Sequence, residues 1–241
     1  MLIYGKTDIG RHRATNQDEF KICSISENLG FGLVCDGMGG ENGGNIASGV
    51  ASDVIGRHLM EHLKPGLNDE DYKNIIVSAV SEGNVAVYDK SLEDKQYIGM
   101  GTTVVLAVVS GEKAYIAHVG DSRVYLIRDG KIHQLTKDHS LVQTLLEQGK
   151  ITPEEVNNHP QKNMITRAIG ISCFVDIDYI EVSHIANAAL LLCSDGLTNT
   201  CDDETIKEIV ITENPNEICD RLIDQANENG GLDNITAVVI L

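Results

Sequence analysis

Three aspartates in this chain stand just past apolar runs. Asp36 follows Gly32-Leu33-Val34-Cys35 and precedes Gly37. Asp195 follows Leu190-Leu191-Leu192-Cys193-Ser194 and precedes Gly196. Asp121 follows Tyr115-Ile116-Ala117-His118-Val119-Gly120. A fourth, Asp233, lies in Gly231-Leu232-Asp233-Asn234, just before the final apolar run. Strand ends are rigid mounts, so four such carboxylates can be aimed at one point. Unpaired, two of them at roughly 4 Å repel by about 4 kcal/mol at an effective dielectric near 20. Hard divalent cations prefer carboxylate, carbonyl and water oxygens, and convert that repulsion into binding. Two such ions about 3.5–4 Å apart can lower the pKa of a shared water and orient it for in-line attack on phosphorus.

Each Asp-Gly pair, taken singly, reads as a turn. Asp129-Gly130 is such a turn and is assigned no chemistry. Asp36 differs because it opens Asp36-Gly37-Met38-Gly39-Gly40, followed by Gly43 and Gly44, more glycine than a turn requires. A glycine after Asp36 lets its carbonyl approach a metal closely. Near the N-terminus, Arg13-Ala14-Thr15-Asn16-Gln17-Asp18 offers a guanidinium able to grip phosphate oxygens in bidentate fashion and a further carboxylate, Asp18, for the metal shell.

The elements that must carry these residues follow from periodicity. Strand-like runs open the chain at 2–7, 19–25 and 31–35. Ile46, Val50, Val54 and Leu59 mark a helix, and Tyr72, Ile75, Ile76, Ala79 and Val80 a second one, over 69–89, with Asp69 as its N-cap. Strands return at 102–109, 113–119, 123–128 and 131–135, the last two joined at Asp129-Gly130 as a hairpin. Residues 138–167 are polar and interrupted and read as an insertion over one end of a sheet. Within them Thr152-Pro153-Glu154-Glu155 carries a cap signature. Strands at 174–182 and 188–193, helices at 202–210 and 216–227, and a strand at 235–241 complete the pattern. Tight connections make the sheets antiparallel. The order predicts an α+β fold: a four-layer α-β-β-α sandwich of two antiparallel sheets, each flanked by a helix pair.

Composition narrows the function further. With 42% hydrophobic residues in 241, the chain can bury a large core. A formal charge of −17 argues against nucleic acid or an anionic membrane as partner. No apolar run nears the roughly 20 residues that span a bilayer, and Met1–Lys6 lacks the layout of a signal peptide. Six cysteines without a Cys-x-x-Cys read as reduced thiols in a cytoplasmic protein. None is followed by the Gly-rich, Arg-containing loop that a thiol nucleophile for phosphate would use.

In order, the runs Arg13…Asn16-Gln17-Asp18, Val34-Cys35-Asp36-Gly37-Met38-Gly39-Gly40, Gly101-Thr102-Thr103, Val119-Gly120-Asp121-Ser122-Arg123, Asp138-His139-Ser140, Thr166-Arg167-Ala168-Ile169-Gly170, Ser194-Asp195-Gly196-Leu197 and Asp233-Asn234-Ile235-Thr236 resemble the metal-dependent protein phosphatases of type 2C, the bacterial branch especially. The resemblance implies one phosphatase domain over 1–241, with a flap at about 138–167. It implies a binuclear Mn²⁺ or Mg²⁺ centre that hydrolyses phosphoserine and phosphothreonine by direct attack of a metal-activated water. Asp36 would bridge both ions, the Gly37 carbonyl would bind one, and Asp195 and Asp233 the other. Asp121 would hold a third, weaker ion. Arg13 would grip phosphate, and Asp18 would act on the metal shell through water. Phosphoproteins as substrates, an opposing eukaryotic-type serine/threonine kinase, a role in signal transduction and a monomeric state are implied too.

Two departures concern the proton donor. Met38 and Glu41 stand where some relatives carry histidines, which leaves a metal-bound water as donor; His139 reads as structural. Asn199 replaces an acidic ligand of the third site. Three other readings are weighed. A catalytically silent binding module on the same fold conflicts with an intact aspartate set. A phosphatase acting on an anti-sigma-factor antagonist would change only the substrate. A Ca²⁺ sensor lacks a twelve-residue loop of alternating ligands.

Overall fold

In the computed structural model the chain is described over residues 1–156 and 159–241, with residues 40–42 described as backbone only. The N-terminal half supplies β1 (Ile3–Asp8), β2 (Asp18–Ser26), β3 (Leu29–Met38), α1 (Gly40–His62), α2 (Asp69–Glu93), β4 (Gly101–Thr102), β5 (Val104–Ser110) and β6 (Lys113–Val119). Then come β7 (Arg123–Arg128), β8 (Lys131–Gln134), α3 (Leu141–Glu147), α4 (Pro153–Val156), β9 (Asp178–Ser183), β10 (Ala189–Cys193), α5 (Asp195–Thr198), α6 (Asp203–Thr212), α7 (Ile218–Glu228) and β11 (Ile235–Ile240).

The strands form two antiparallel sheets, ordered β1-β11-β10-β7-β8 and β2-β3-β5-β6-β9, with β4 paired to β3. Period-2 alternation sorts their side chains into separate cores. On β3, Val34 points between the sheets, whereas Leu33 and Cys35 point at α1 and α2. On β11, Val238 and Ile240 face inward, and Ala237 and Val239 meet α6 and α7. On β10, Leu190 and Leu192 face inward, and Leu191 and Cys193 outward. Three apolar layers thus cement four structural layers, α1/α2 on the second sheet and α6/α7 on the first. The α-β-β-α sandwich expected from the element order is the architecture found. Among the described residues no helix is long and apolar enough to cross a membrane.

Local departures have local causes. The N-cap of α2 is Asn68, not Asp69: its side chain accepts from the Asp71 N–H at 2.9 Å in a capping box. Asp69 is instead drawn to Lys113 Nζ at 2.6 Å and the Tyr115 hydroxyl at 2.7 Å. The strand expected over 174–182 is β9, which starts at Asp178, where pairing with His118 begins; Phe174 stands 85% exposed. Helix α7 starts at Ile218, after a turn closed by Glu217 N–H donating to Asn214 O. The Asp129-Gly130 hairpin is as expected, with φ of 52° and 71°.

In the stretch 138–167, Ser140 caps α3, Thr152 N–H donates to Glu155 Oε2 at 2.8 Å, and a bridge between Ser140 and Ile165 closes the base. The flap expectation includes Asn157 and Asn158, which lie outside the described residues.

Candidate functional site

Asp36 lies within β3, two residues before its end, and the antiparallel register sets Asp18 of β2 directly opposite. Its backbone is clamped. The Asp36 N–H donates to Thr103 Oγ1 at 3.0 Å, and its carbonyl accepts from Thr103 N–H at 2.9 Å and Thr102 Oγ1 at 2.8 Å. Glycine is obligatory next in line: a Cβ on Gly37 would lie 2.1 Å from Gly44 O and 2.6 Å from Gln17 O. Asp195 begins α5 straight after β10 and accepts from Asn199 Nδ2 at 2.9 Å. A Cβ on the following Gly196 would meet Asn234 O at 2.0 Å.

The N-terminal loop is pinned to the loop before β11. Asn234 accepts from Gln17 N–H at 2.8 Å and donates to Ile9 O and Thr15 O at 2.9 and 3.0 Å. Arg13 Nη2 consequently donates to Asp233 Oδ2 at 2.6 Å. The Gly120–Asp121 turn after β6 is gripped from the other side. His139 N–H donates to Gly120 O at 2.7 Å, Gly120 N–H donates to His139 Nδ1 at 3.0 Å, and the Ser122 and Thr103 hydroxyls bond at 2.7 Å.

These placements bring Arg13, Asp36, Gly37, Met38, Asp121, Asp195 and Asp233 to the wall of one cleft of about 520 Å³, which Asn163 and Ile165 also line. A larger cavity of about 610 Å³, reached by Met1, Arg128, Leu190 and Ile211, holds none of these aspartates. Asp18 sits beneath the cleft, 3% exposed. Its Oδ2 accepts from Ser194 Oγ and Thr236 Oγ1, both at 2.7 Å, and its Oδ1 has no partner. A buried carboxylate oxygen without a partner is costly.

The cluster is electrostatically self-opposed. Burial first, and then the neighbouring carboxylates, push Asp36 well above the usual carboxyl range. The same causes push Asp18 up to about 7 and Asp121 up to about 8. Burial and Asp233 raise Asp195 to about 6, despite hydrogen bonds from Asn199 and Asp36. Alone, these groups cannot all be ionised at neutral pH.

Each candidate read from the sequence is therefore in or against the cleft. His139 is not: one ring nitrogen is taken by Gly120 and the other lies 3.2 Å from Asp178 Oδ2. Met38 lines the cleft and has no proton to give; the Glu41 side chain lies outside the described residues. Sequence reasoning gave no role to the polar residues that hold the aspartates, namely Thr102, Thr103, Ser194, Asn234 and Thr236. All five belong to the motif runs quoted above, which was the available signal.

Residues 9–235 match the protein phosphatase 2C family. The chain is 37% identical over 236 residues to the serine/threonine phosphatase stp of Listeria monocytogenes, covering 98% of this chain and 93% of that protein. Among solved structures it resembles the serine/threonine phosphatase Stp1 from Staphylococcus aureus, with a TM-score of 0.91, 35% identity and coverage of 98% and 93%. It also resembles the catalytic domain of the serine/threonine phosphatase PstP in complex with two manganese ions, with a TM-score of 0.84, 34% identity and coverage of 99% and 96%. The chain belongs to the protein phosphatase 2C family.

Proposed function

We propose that this chain is a metal-dependent protein serine/threonine phosphatase, one catalytic domain over 1–241 with its flap at about 138–167. The observation that carries this is the convergence of Asp36, Asp121, Asp195 and Asp233 on one cleft, over the half-satisfied Asp18 and beside Arg13. Oxygen donors crowded at mutually raised pKa values fit hard divalent ions. Asp36, the Gly37 carbonyl, Asp195 and Asp233 would hold two Mn²⁺ or Mg²⁺ ions, with Asp121 offering a weaker third site. Manganese finds support in the PstP relative. Once bound, such ions supply charge neutralisation and a water of lowered pKa for direct attack on phosphorus.

The residues of the chain do the rest. Arg13, its side chain 49% exposed and anchored at Asp233, is free to turn its remaining N–H groups to phosphate oxygens. Asp18, acting through water, would orient the shell from below; Ser194 and Thr236 fix its carboxylate plane. The Thr102/Thr103 clamp holds Asp36 without using its carboxylate. Asn163 and Ile165 line the cleft, which supports a flap over 138–167 that a phosphopeptide would meet on entry. The free thiols fit a reducing compartment, and we take the chain as a cytoplasmic signalling enzyme. We take it as a monomer that opposes a eukaryotic-type kinase. Nothing observed favours a catalytically silent module.

The test is release of phosphate from phosphoserine, phosphothreonine and phosphotyrosine peptides by chelator-stripped protein, before and after Mn²⁺ addition. Turnover of the first two only with metal is expected. Equal turnover without metal, or none with it, refutes the proposal.

A further inference from the structure

Away from the acidic cleft, the C-terminal end of α1 reads His58-Leu59-Met60-Glu61-His62. Residues four apart on a helix share a face, and this spacing is one by which helices present two imidazoles to a zinc ion. The rings stack with centroids 4.3 Å apart and planes 24° apart. His62 Nδ1 lies 2.9 Å from the His58 carbonyl oxygen, and His58 Nδ1 lies 2.9 Å from Glu82 Oε2 on α2. Both partners only accept, so each Nδ1 carries a proton, and in the neutral ring each Nε2 keeps its lone pair. Neither Nε2 has a hydrogen-bond partner among the described residues. An imidazole that donates its other N–H to a carboxylate or a carbonyl is oriented as metal-ligating histidines are.

The surroundings suit a cation. The two histidines open on a cleft of about 400 Å³ between α1 and α2, whose walls carry two carboxylates, Glu61 and Glu82, against one cation, Arg57. His62 stands in the last turn of α1, where the helix dipole favours positive charge. The net charge of −17 adds to the attraction. The His118–His139–Asp178 cluster is more tightly gathered, its ligand atoms all within 4.8 Å and both His118 ring nitrogens without a partner, but both ring nitrogens of His139 are engaged and Arg167 sits 2.5 Å from Asp178.

We propose that His58 and His62, with Glu61 as the adjacent carboxylate and Glu82 as the outer partner, form a second metal site for borderline transition ions such as Zn²⁺ and Cu²⁺. Closing on one ion would require both rings to turn out of the observed stack. Imidazole donors favour these ions over Mg²⁺ and Mn²⁺, so the site is chemically distinct from the oxygen-lined cleft. Occupancy would tie α1 to α2, the helix pair that covers the sheet carrying Asp18 and Asp36.

Cu²⁺ titration of the full chain, followed by electron paramagnetic resonance, tests this. The native chain should show nitrogen superhyperfine coupling from two imidazoles, because no imidazole lines the acidic cleft. The coupling should vanish in the H58A/H62A double variant, and in H62Q, whose surface position spares the fold, it should fall to one imidazole. E82Q should weaken Cu²⁺ binding about tenfold by removing the outer carboxylate. Mn²⁺-dependent hydrolysis of p-nitrophenyl phosphate should be unchanged in all three. Absence of nitrogen coupling in the native chain, or coupling undiminished in the double variant, overturns the site.

Discussion

Stripping metal from the cleft should make the fold lose stability as pH rises, and Mn²⁺ should restore it most strongly at high pH. The sign follows from the raised carboxyls. In the unfolded chain these groups ionise near pH 4. In the metal-free fold Asp195, Asp18 and Asp121 hold their protons up to about 6, 7 and 8. Between those limits the folded state binds more protons than the unfolded state, so stability falls with rising pH, and the fall ends once pH passes the folded values. Moving Asp18 alone from 3.8 to about 7 corresponds to about 4 kcal/mol, at 1.36 kcal/mol per tenfold. The three shifts share their causes and do not add, so about 4 kcal/mol sets the scale of the whole effect. For a chain of this size each kcal/mol moves Tm by roughly 2–4 °C. Most of the effect is lost below pH 6; between pH 6 and pH 8.5 about one pH unit of the Asp18 titration remains, about 1.4 kcal/mol, so a Tm about 3–6 °C lower at pH 8.5 than at pH 6 is expected in chelator. Mn²⁺ at about 100 times its Kd adds about 2.7 kcal/mol. Its Tm shift should be small at pH 6, where protons compete for the carboxylates, and several degrees at pH 8.5. Differential scanning calorimetry at both pH values, with chelator and with Mn²⁺, measures all four quantities. Asp18→Asn should flatten the metal-free pH dependence. Equal Mn²⁺ shifts at both pH values, or a metal-free Tm that rises with pH, would refute the reasoning.

Asp36→Asn should abolish Mn²⁺-dependent hydrolysis of p-nitrophenyl phosphate, by at least about 10³-fold, and lower the Mn²⁺ stoichiometry seen by calorimetry. Arg13→Ala should cost about 1.5–3 kcal/mol of charged hydrogen bonding, read as a 10- to 150-fold fall in kcat/KM with Mn²⁺ binding intact. Asp138→Asn should destabilise by about 2–3 kcal/mol in urea unfolding, because Arg123, which donates to Asp138 at 3.0 and 2.7 Å from the largely buried end of β7, would lose its counter-charge.

Much of this was legible in the chain because the governing signals are local. Leu33-Val34-Cys35 alternates between two cores, and Asp129-Gly130 can only turn tightly, so sheets and hairpin followed from period and turn chemistry. The four strand-end aspartates were legible for the same reason. What was not legible depends on register and distance. That Asp18 faces Asp36 follows from how β2 slides against β3. That Ser194 and Thr236 hold Asp18 requires two sheets to meet, across 176 and 218 residues. The Asn68 cap was missed because Asn68 and Asp69 are equally good caps by type. Lys113 and Tyr115, distant in sequence, decided between them.

The seam between the sheets explains why metal binding and the integrity of the sandwich are one problem. The six-stranded sheet contributes Asp18 and Asp36, and the five-stranded sheet and its loops contribute Asp195 and Asp233. Asp121 stands on the connection from one to the other, between β6 and β7. What fixes their separation is a set of close contacts at the same end: the two hydroxyls on Asp18, the Asn234 bridge to the N-terminal loop, and Asn234 O packed where a Gly196 Cβ would lie. Buried like charges would push such a seam apart, so neutral hydroxyls and amides, rather than further ion pairs, do the holding. Arg13 pairs with Asp233 alone, which leaves the charge of Asp18, Asp36, Asp121 and Asp195 without a paired cation, and a site that kept a counter-ion for every carboxylate would have nothing left with which to bind a metal.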